Sequence, residues 1–318
     1  MKPMVPVPLT VLTGFLGAGK TTLLNRILNG DHGLRVAVLV NDFGSINIDA
    51  DLVVGVESDV ISLANGCVCC SIRDDLVGAV TQVLERPERP EYVLLEASGV
   101  ADPAGIAVTF TDAGLRDRIR LDSIACVVDA EQVFAAPEQM KLKLWQIACA
   151  DLLILNKVDR AGREQIEKIK VWLDEHFHRY RLIEAKHCDV PLDILLSVGR
   201  FDAARSVDHE HDHANTFGTW SYETDQPLSL EALREAASRL PVNIYRCKGV
   251  IHSTDTPERR AVLQVVGKRV DISMQEEWGR RVPRTRIVAI GAAGSIDTRQ
   301  LEESFAGCIS AEPAGREL

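Results

Sequence analysis

Nine residues near the amino terminus, Gly14-Phe15-Leu16-Gly17-Ala18-Gly19-Lys20-Thr21-Thr22, fit the spacing G-x-x-x-x-G-K-[ST]. Glycines at these positions let the backbone curl so that successive N–H groups point inward at phosphate oxygens. The positive end of a following helix adds attraction for the same charge. Lys20 can then reach the β- and γ-phosphates of a nucleoside triphosphate, while Thr21 offers its hydroxyl to the Mg²⁺ that clamps them. Gly14, Gly17, Ala18, Gly19, Lys20, Thr21 and Thr22 are therefore the candidate phosphate-binding residues. The plain alternative is a glycine-rich turn before an ordinary helix, and the flanks argue against it: Val7 to Thr13 reads as a strand, and Leu23, Leu24, Ile27 and Leu28 recur at helical spacing. Gly30 is expected to end that helix in a left-handed turn.

A second device lies far downstream. Asn156-Lys157-Val158-Asp159 follows the apolar run Leu152 to Leu155 directly. The Asp159 carboxylate can accept hydrogen bonds from guanine N1–H and its 2-amino group together, whereas adenine presents a bare acceptor at N1 and no amino group beside it. A site built on such a pair rejects the analogue lacking it far better than an apolar pocket does. Lys157 can lay its alkyl stem on the base and Asn156 can brace the loop. His187 and Cys188 are expected near the same pocket as backbone donors. Alone the tetrapeptide is usually a solvated turn; downstream of a phosphate loop it points to GTP.

Two carboxylates, Asp42 and Glu96, end apolar runs at Val36 to Val40 and Tyr92 to Leu95. Both are expected to face the phosphate loop, and with Lys20 they form the candidate catalytic set, with Thr21, Asp42 and Glu96 toward Mg²⁺. Capping a helix or hydrogen-bonding the loop is the alternative role for either acid. No glutamine stands where it would orient the hydrolytic water, so slow unstimulated turnover is expected. Cys67, Cys69 and Cys70 place three soft donors in four residues. Thiolates suit Zn²⁺, and three ligands leave one tetrahedral position open, as a metal in transit requires. The alternative is three ordinary thiols, but the cluster lies between the Asn41 and Glu96 loops, the segments best placed to feel a γ-phosphate. His209, His211 and His213 alternate with acids and form a weak accessory metal tract or a solvated linker.

Positioning these residues requires strands and helices in alternation. Val36 to Val40, Val60 to Leu63, Tyr92 to Leu95, Ile124 to Val128, Leu152 to Leu155 and a strand near Arg181 to Glu184 supply buried strands; Leu52 to Val56 is a further candidate. Helices are expected from Ser71, around Leu144 to Ala148, through Ile166 to Leu173, and after Pro191. The helix opening at the Ser71/Asp74 capping box should bury Leu76, Val77, Val80 and Leu84. The implied class is α/β with a doubly wound, mostly parallel sheet over residues 1–199. Residues 200–216 read as a His-rich polar linker, and residues 217–318 as a smaller α+β domain. In that domain strands are expected at Phe217 to Tyr222, Ile244 to His252, Ala261 to Val266 and Ile287 to Ile290, with helices from Leu230 to Leu240 and near Leu301.

The chain has 318 residues, 36 Lys and Arg against 46 Asp and Glu, and a formal net charge of −10. So acidic a chain argues against nucleic acid or an anionic membrane as its main partner. No apolar run is long enough to cross a bilayer, and the eight cysteines without a signal peptide favour reduced thiols or metal ligands over disulfides, so a cytoplasmic protein is expected.

In this order, the phosphate loop, Asn41-Asp42-Phe43-Gly44, Gly66-Cys67-Val68-Cys69-Cys70, Glu96-Ala97-Ser98-Gly99-Val100-Ala101-Asp102-Pro103 and Asn156-Lys157-Val158-Asp159 resemble the CobW-like family of P-loop GTPases over nearly the whole chain. The resemblance implies a P-loop NTPase fold, GTP with Mg²⁺, and delivery of a metal to a client metalloprotein through the Cys-x-Cys-Cys site. Zinc is the usual metal, with cobalt or iron in some branches. A homodimer is a further option. Many relatives carry glutamate where this chain has Asp42 and another acid where it has Ser45, so Asp42 is expected to reach Mg²⁺ through a water. A metal buffer with a vestigial nucleotide site and a small-molecule kinase on the same loop are the competing classes.

Overall fold

The structure is a computed structural model, which describes residues 6–41, 60–63, 71–110, 115, 117–196, 217–279 and 281–309. Asp42, the thiols Cys67, Cys69 and Cys70, the tract His209, His211 and His213, and the strand expected at 52–56 lie outside the described residues. Two compact units, Met1–Gly199 and Arg200–Leu318, make up the chain.

In the first unit the order is β1 (Val7–Thr13), α1 (Lys20–Leu28), β2 (Val36–Asn41), β3 (Val60–Leu63), α2 (Ser71–Leu84), β4 (Tyr92–Glu96), α3 (Pro103–Thr109), β5 (Ile119–Asp129), α4 (Met140–Cys149), β6 (Leu152–Asn156), α5 (Arg163–His176), β7 (Leu182–Glu184) and α6 (Leu192–Leu195). Among the described residues the strands form one sheet, ordered β3-β2-β4-β1-β5-β6-β7, with every pair parallel. β4 and β6 are buried along their whole length, as strands covered on both faces must be. The chain leaves β1 toward β2 on one side and leaves its neighbour β5 toward β6 on the other. That reversal opens a crevice at the carboxyl edge, where ligands of such sheets bind. Thr13, Glu96, Asp129 and Asn156 all end strands there.

One core packs Leu76, Val80 and Val83 of α2 and Ile106 of α3 against Leu9, Val11 and Leu95; another packs Ile147, Ile169 and Leu173 against Cys126, Leu153 and Leu155. Val77, expected in the core, is only partly buried beside the first.

Three local expectations are corrected. Gly30 is not left-handed: α1 ends at Leu28 with Asn29 still right-handed at φ −88°. Gly30 is required by packing instead, since a Cβ there would fall 2.3 Å from Leu192 Cδ1. β5 starts at Ile119, five residues before the expected strand, because polar residues interrupt its apolar run yet are buried in pairs. Tyr92 Oη lies 2.7 Å from both Thr10 Oγ1 and Asp122 Oδ2, Thr10 Oγ1 lies 2.8 Å from Ser123 Oγ, and Arg120 Nη1 donates to Asp122 Oδ1 at 3.2 Å. α3 had no apolar periodicity to reveal it in two turns. Asp102 caps it, accepting from Ala104 N at 2.9 Å, and Pro103 opens it.

The second unit contains β8 (Phe217–Thr224), α7 (Leu230–Ser238), β9 (Ile244–His252), β10 (Arg259–Val266), β11 (Arg269–Glu277), β12 (Thr285–Ala292) and α8 (Thr298–Ala306). An antiparallel sheet ordered β11-β10-β9-β12-β8 packs Trp220, Tyr222, Leu263 and Ile287 against Leu233 of α7 and Leu301 and Phe305 of α8. The sequence pattern missed β11. It is an edge strand, half-exposed along most of its length, joined to β10 by a tight turn at Gly267 (φ 56°) and Lys268.

The buried hydroxyl network generates a stability prediction. Tyr92→Phe removes the Tyr92 contacts to Thr10 and Asp122 while keeping the ring. It is expected to destabilise the first unit by about 1–3 kcal/mol, read as a lower urea midpoint with unchanged nucleotide affinity; an unchanged midpoint would show that the network contributes nothing.

Candidate functional site

The site is built where β1 runs out. Gly14 turns the chain at φ 130°, and a Cβ there would fall 2.1 Å from Val127 O on β5, so only glycine lets the loop lie this close to the sheet. Gly17 (φ 74°) and Gly19 (φ 110°) complete the curl. Gly19 is the N-cap of α1 and no side chain caps that helix, so its first N–H groups are offered to whatever the loop encloses. Lys20 is buried, with Nζ 3.3 Å from Phe15 O across the loop.

Glu96, 2% exposed at the end of β4, accepts from Thr21 Oγ1 through Oε1 at 2.8 Å. The β1–β4 register, Leu12 beside Glu96, sets that pair. The structure thus brings together the hydroxyl and one carboxylate that the sequence assigned to a cation. They form an all-oxygen donor pair of the kind Mg²⁺ takes.

From the other side, Asn156 is 2% exposed and spends its amide on two loops. Nδ2 donates to Ala18 O at 2.9 Å, and Oδ1 accepts from Cys188 N at 2.8 Å. Lys157, left-handed at φ 63°, donates from Nζ to Gly17 O at 2.8 Å and to Asp129 Oδ2 at 2.7 Å. Asp129 in turn accepts the N–H groups of Glu131 and Gln132 on Oδ1 at 2.9 and 3.1 Å. Arg26 of α1 pairs with Asp189 beyond Cys188. Between the two loops lies a cavity of about 240 Å³ lined by Gly17, Gly19, Thr22, Asn156, Lys157, Asp159, Arg160 and His187. Asp159 and Lys157 therefore share one pocket with the phosphate loop.

The expectation that Cys188 offers its N–H to a ligand is corrected, because Asn156 takes that N–H. The Cys188 thiol sits 3.3 Å from Gly19 O, and burial pushes its pKa up to about 12. Cys126, which lines a cavity with Phe15 and Leu16, is pushed up to about 12 for the same reason, so at neutral pH both hold their protons. Among the described residues no group of three or more His, Cys, Asp or Glu is arranged to hold a metal ion. No helix among them is long and apolar enough to cross a membrane.

Sequence reasoning missed Asp129, Lys143 and Gln146. Asp129 was findable by the signal that found Glu96, an acid closing an apolar strand at the carboxyl edge. Lys143 and Gln146 lie inside a helix and carry no motif.

Comparison with known proteins identifies both units. Residues 8–183 match the CobW/HypB/UreG nucleotide-binding domain, and residues 217–309 match the cobalamin synthesis protein cobW C-terminal domain. A protein of a Sinorhizobium species named zinc chaperone CobW is 30% identical over 331 residues, covering 90% of this chain and 92% of that protein. The zinc-regulated GTPase metalloprotein activator 1 of Dictyostelium discoideum is 30% identical over 325 residues, 86% of this chain and 68% of its own length. The crystal structure of Zn(II)-bound YjiA GTPase from E. coli aligns over 96% of this chain and 100% of that chain at 25% identity, with a TM-score of 0.46.

Asn156→Ala tests the tie between the loops. It strands the Ala18 carbonyl and the Cys188 N–H in a buried place, so a loss of about 1–3 kcal/mol in stability is expected, with roughly tenfold or weaker binding of a fluorescent guanine nucleotide. Wild-type affinity in that titration would show that Asn156 does not shape the pocket.

Proposed function

The chain belongs to the CobW/HypB/UreG family of nucleotide-binding proteins, and from that membership we propose that it is a GTPase metallochaperone that binds zinc and hands it to a client metalloprotein under control of the nucleotide state. The observation that supports the nucleotide half of this reading is the tie from Asn156 and Lys157 to the phosphate loop, with Asp159 lining the same cavity as Gly17 and Gly19. The relatives' names support the metal half.

In this reading the loop N–H groups and Lys20 hold the β- and γ-phosphates, and Asp159 accepts the guanine N1–H and amino protons. Thr21 and Glu96 would hold Mg²⁺, with Asp42 as a further carboxylate for it, and the bound ion would neutralise charge on the phosphates. Glu96 accepts a hydrogen bond from the Thr21 hydroxyl, which leaves the Thr21 oxygen's lone pairs free for a cation. Lys20 is buried against the loop, where a low dielectric strengthens its attraction for the phosphates. Cys67, Cys69 and Cys70 take the zinc cargo as thiolates, and His209, His211 and His213 gather it weakly on the way. Because one chain holds both ligands, any nucleotide that tightens zinc binding must itself be bound more tightly by the zinc-loaded form.

Three experiments test this. Asp159→Asn turns an acceptor into a donor, so it is expected to lose GTP binding and gain XTP, whose base carries a carbonyl where guanine has its amino group; retained GTP preference overturns the base-reading role. Zinc titration of the wild type with a non-hydrolysable GTP analogue and with GDP should give different affinities, and Cys69→Ala should keep GTP binding but lose stoichiometric zinc. Equal zinc affinities in the two nucleotide states would remove the coupling, and zinc retained by the variant would move the site elsewhere.

A further inference from the structure

Helix α4 carries no nucleotide motif, yet three of its side chains reach the loops of the phosphate site. Lys143 is buried; its Nζ donates to the carbonyls of Val133 at 2.9 Å, Gln132 at 3.4 Å and Ala135, and lies 4.7 Å from the centre of the Phe15 ring in the phosphate loop. Burial lowers its pKa, and nearby Glu138 and Asp129 work against that shift. Gln146, 1% exposed, donates from Nε2 to Gly99 O at 3.1 Å and Ala101 O at 3.4 Å. Trp145, 49% exposed, donates from Nε1 to Asp102 Oδ1 at 2.7 Å, the same oxygen that caps α3.

Residues 97–102 join β4 to α3 without regular structure, and Glu96 stands at their head. Ala97 N donates to Leu12 O at 2.9 Å and Ala101 N to Ser98 O at 3.0 Å. Gly99 packs directly on the phosphate loop, where a Cβ would fall 2.5 Å from Leu16 Cδ2. The long-range polar side-chain ties on the middle of this segment come from α4. A buried amide whose two carbonyl contacts both fall on irregular backbone fixes that backbone's direction, which an apolar side chain of equal size would not do.

We infer that Gln146 is a positioning residue for GTP hydrolysis: by holding the Gly99 and Ala101 carbonyls it fixes the segment that leaves the strand end at Glu96 and packs on Leu16 of the phosphate loop. The inference rests on the GTPase reading above. It assigns Gln146 to the chemical step rather than to affinity, because the base pocket and the phosphate-loop curl are built without it. The competing role for a buried glutamine is simply a satisfied core amide.

The test compares Gln146→Leu, which removes the donor at similar size, with the wild type. A kcat for Mg²⁺-GTP at least roughly tenfold lower is expected, with KM and GDP affinity within about threefold. In the GDP-bound protein, amide hydrogen exchange should quicken in residues 97–102 and stay unchanged in residues 156–159. A core-amide role would instead lower the melting temperature and quicken exchange across the first unit, with kcat unchanged in the folded fraction, and that result overturns the inference. If Gln146→Leu does not fold, Trp145→Phe at its half-exposed position releases only the Asp102 anchor; it should quicken exchange at residues 99–102 and lower kcat about threefold, and wild-type values for both overturn the inference. A wild type that does not turn over GTP overturns the GTPase reading and not the positioning, which the exchange measurement decides by itself.

Discussion

One side-chain amide, that of Asn156, sets the geometry on which the rest of the site depends. It is buried, it faces both a carbonyl of the phosphate loop and an N–H of the loop after β7, and each of those groups would otherwise be stranded. Lys157 repeats the tie with its ammonium between Gly17 O and Asp129. The left-handed backbone at Lys157 is costly for a residue with a Cβ, and the two bonds from its Nζ help to hold it. The pocket that Asp159 lines and the phosphate loop are consequently one construction, assembled from segments more than a hundred residues apart and aligned by the order of the parallel strands.

The same sheet supplies the second alignment. β1 lies between β4 and β5, so Thr21 at the start of α1 meets Glu96 from one neighbour while Gly14 is pressed against Val127 of the other. Neither contact needs a long-range coincidence once the strand order is set, because each partner is carried to the carboxyl edge by its own strand register.

Much of this was legible in the sequence. The glycine spacing, the Lys-Thr pair and Asn156 to Asp159 depend on local chemistry, and apolar runs such as Tyr92 to Leu95 announce buried parallel strands. What escaped had physical causes. β5 hides its first half because Asp122 and Ser123 are buried by pairing with Tyr92 and Thr10, which no local pattern reveals. β11 is a half-exposed edge strand with little apolar contrast. α3 is too short for periodicity, although Asp102-Pro103 signals its start. Gly30 reads as a helix stop but is small for the sake of Leu192, a residue 162 positions away. Gln146 looks like any helical glutamine until its carbonyl partners are seen.

The thiol of Cys188 has a consequence for sulfur chemistry in this chain. It lies under Gly19 with its proton directed at a carbonyl and its pKa raised to about 12, so at neutral pH it offers no thiolate to a soft cation. Cys126, on the opposite flank of the same loop, is equally silent. Electrophiles that seek out thiolates are therefore expected to spare both.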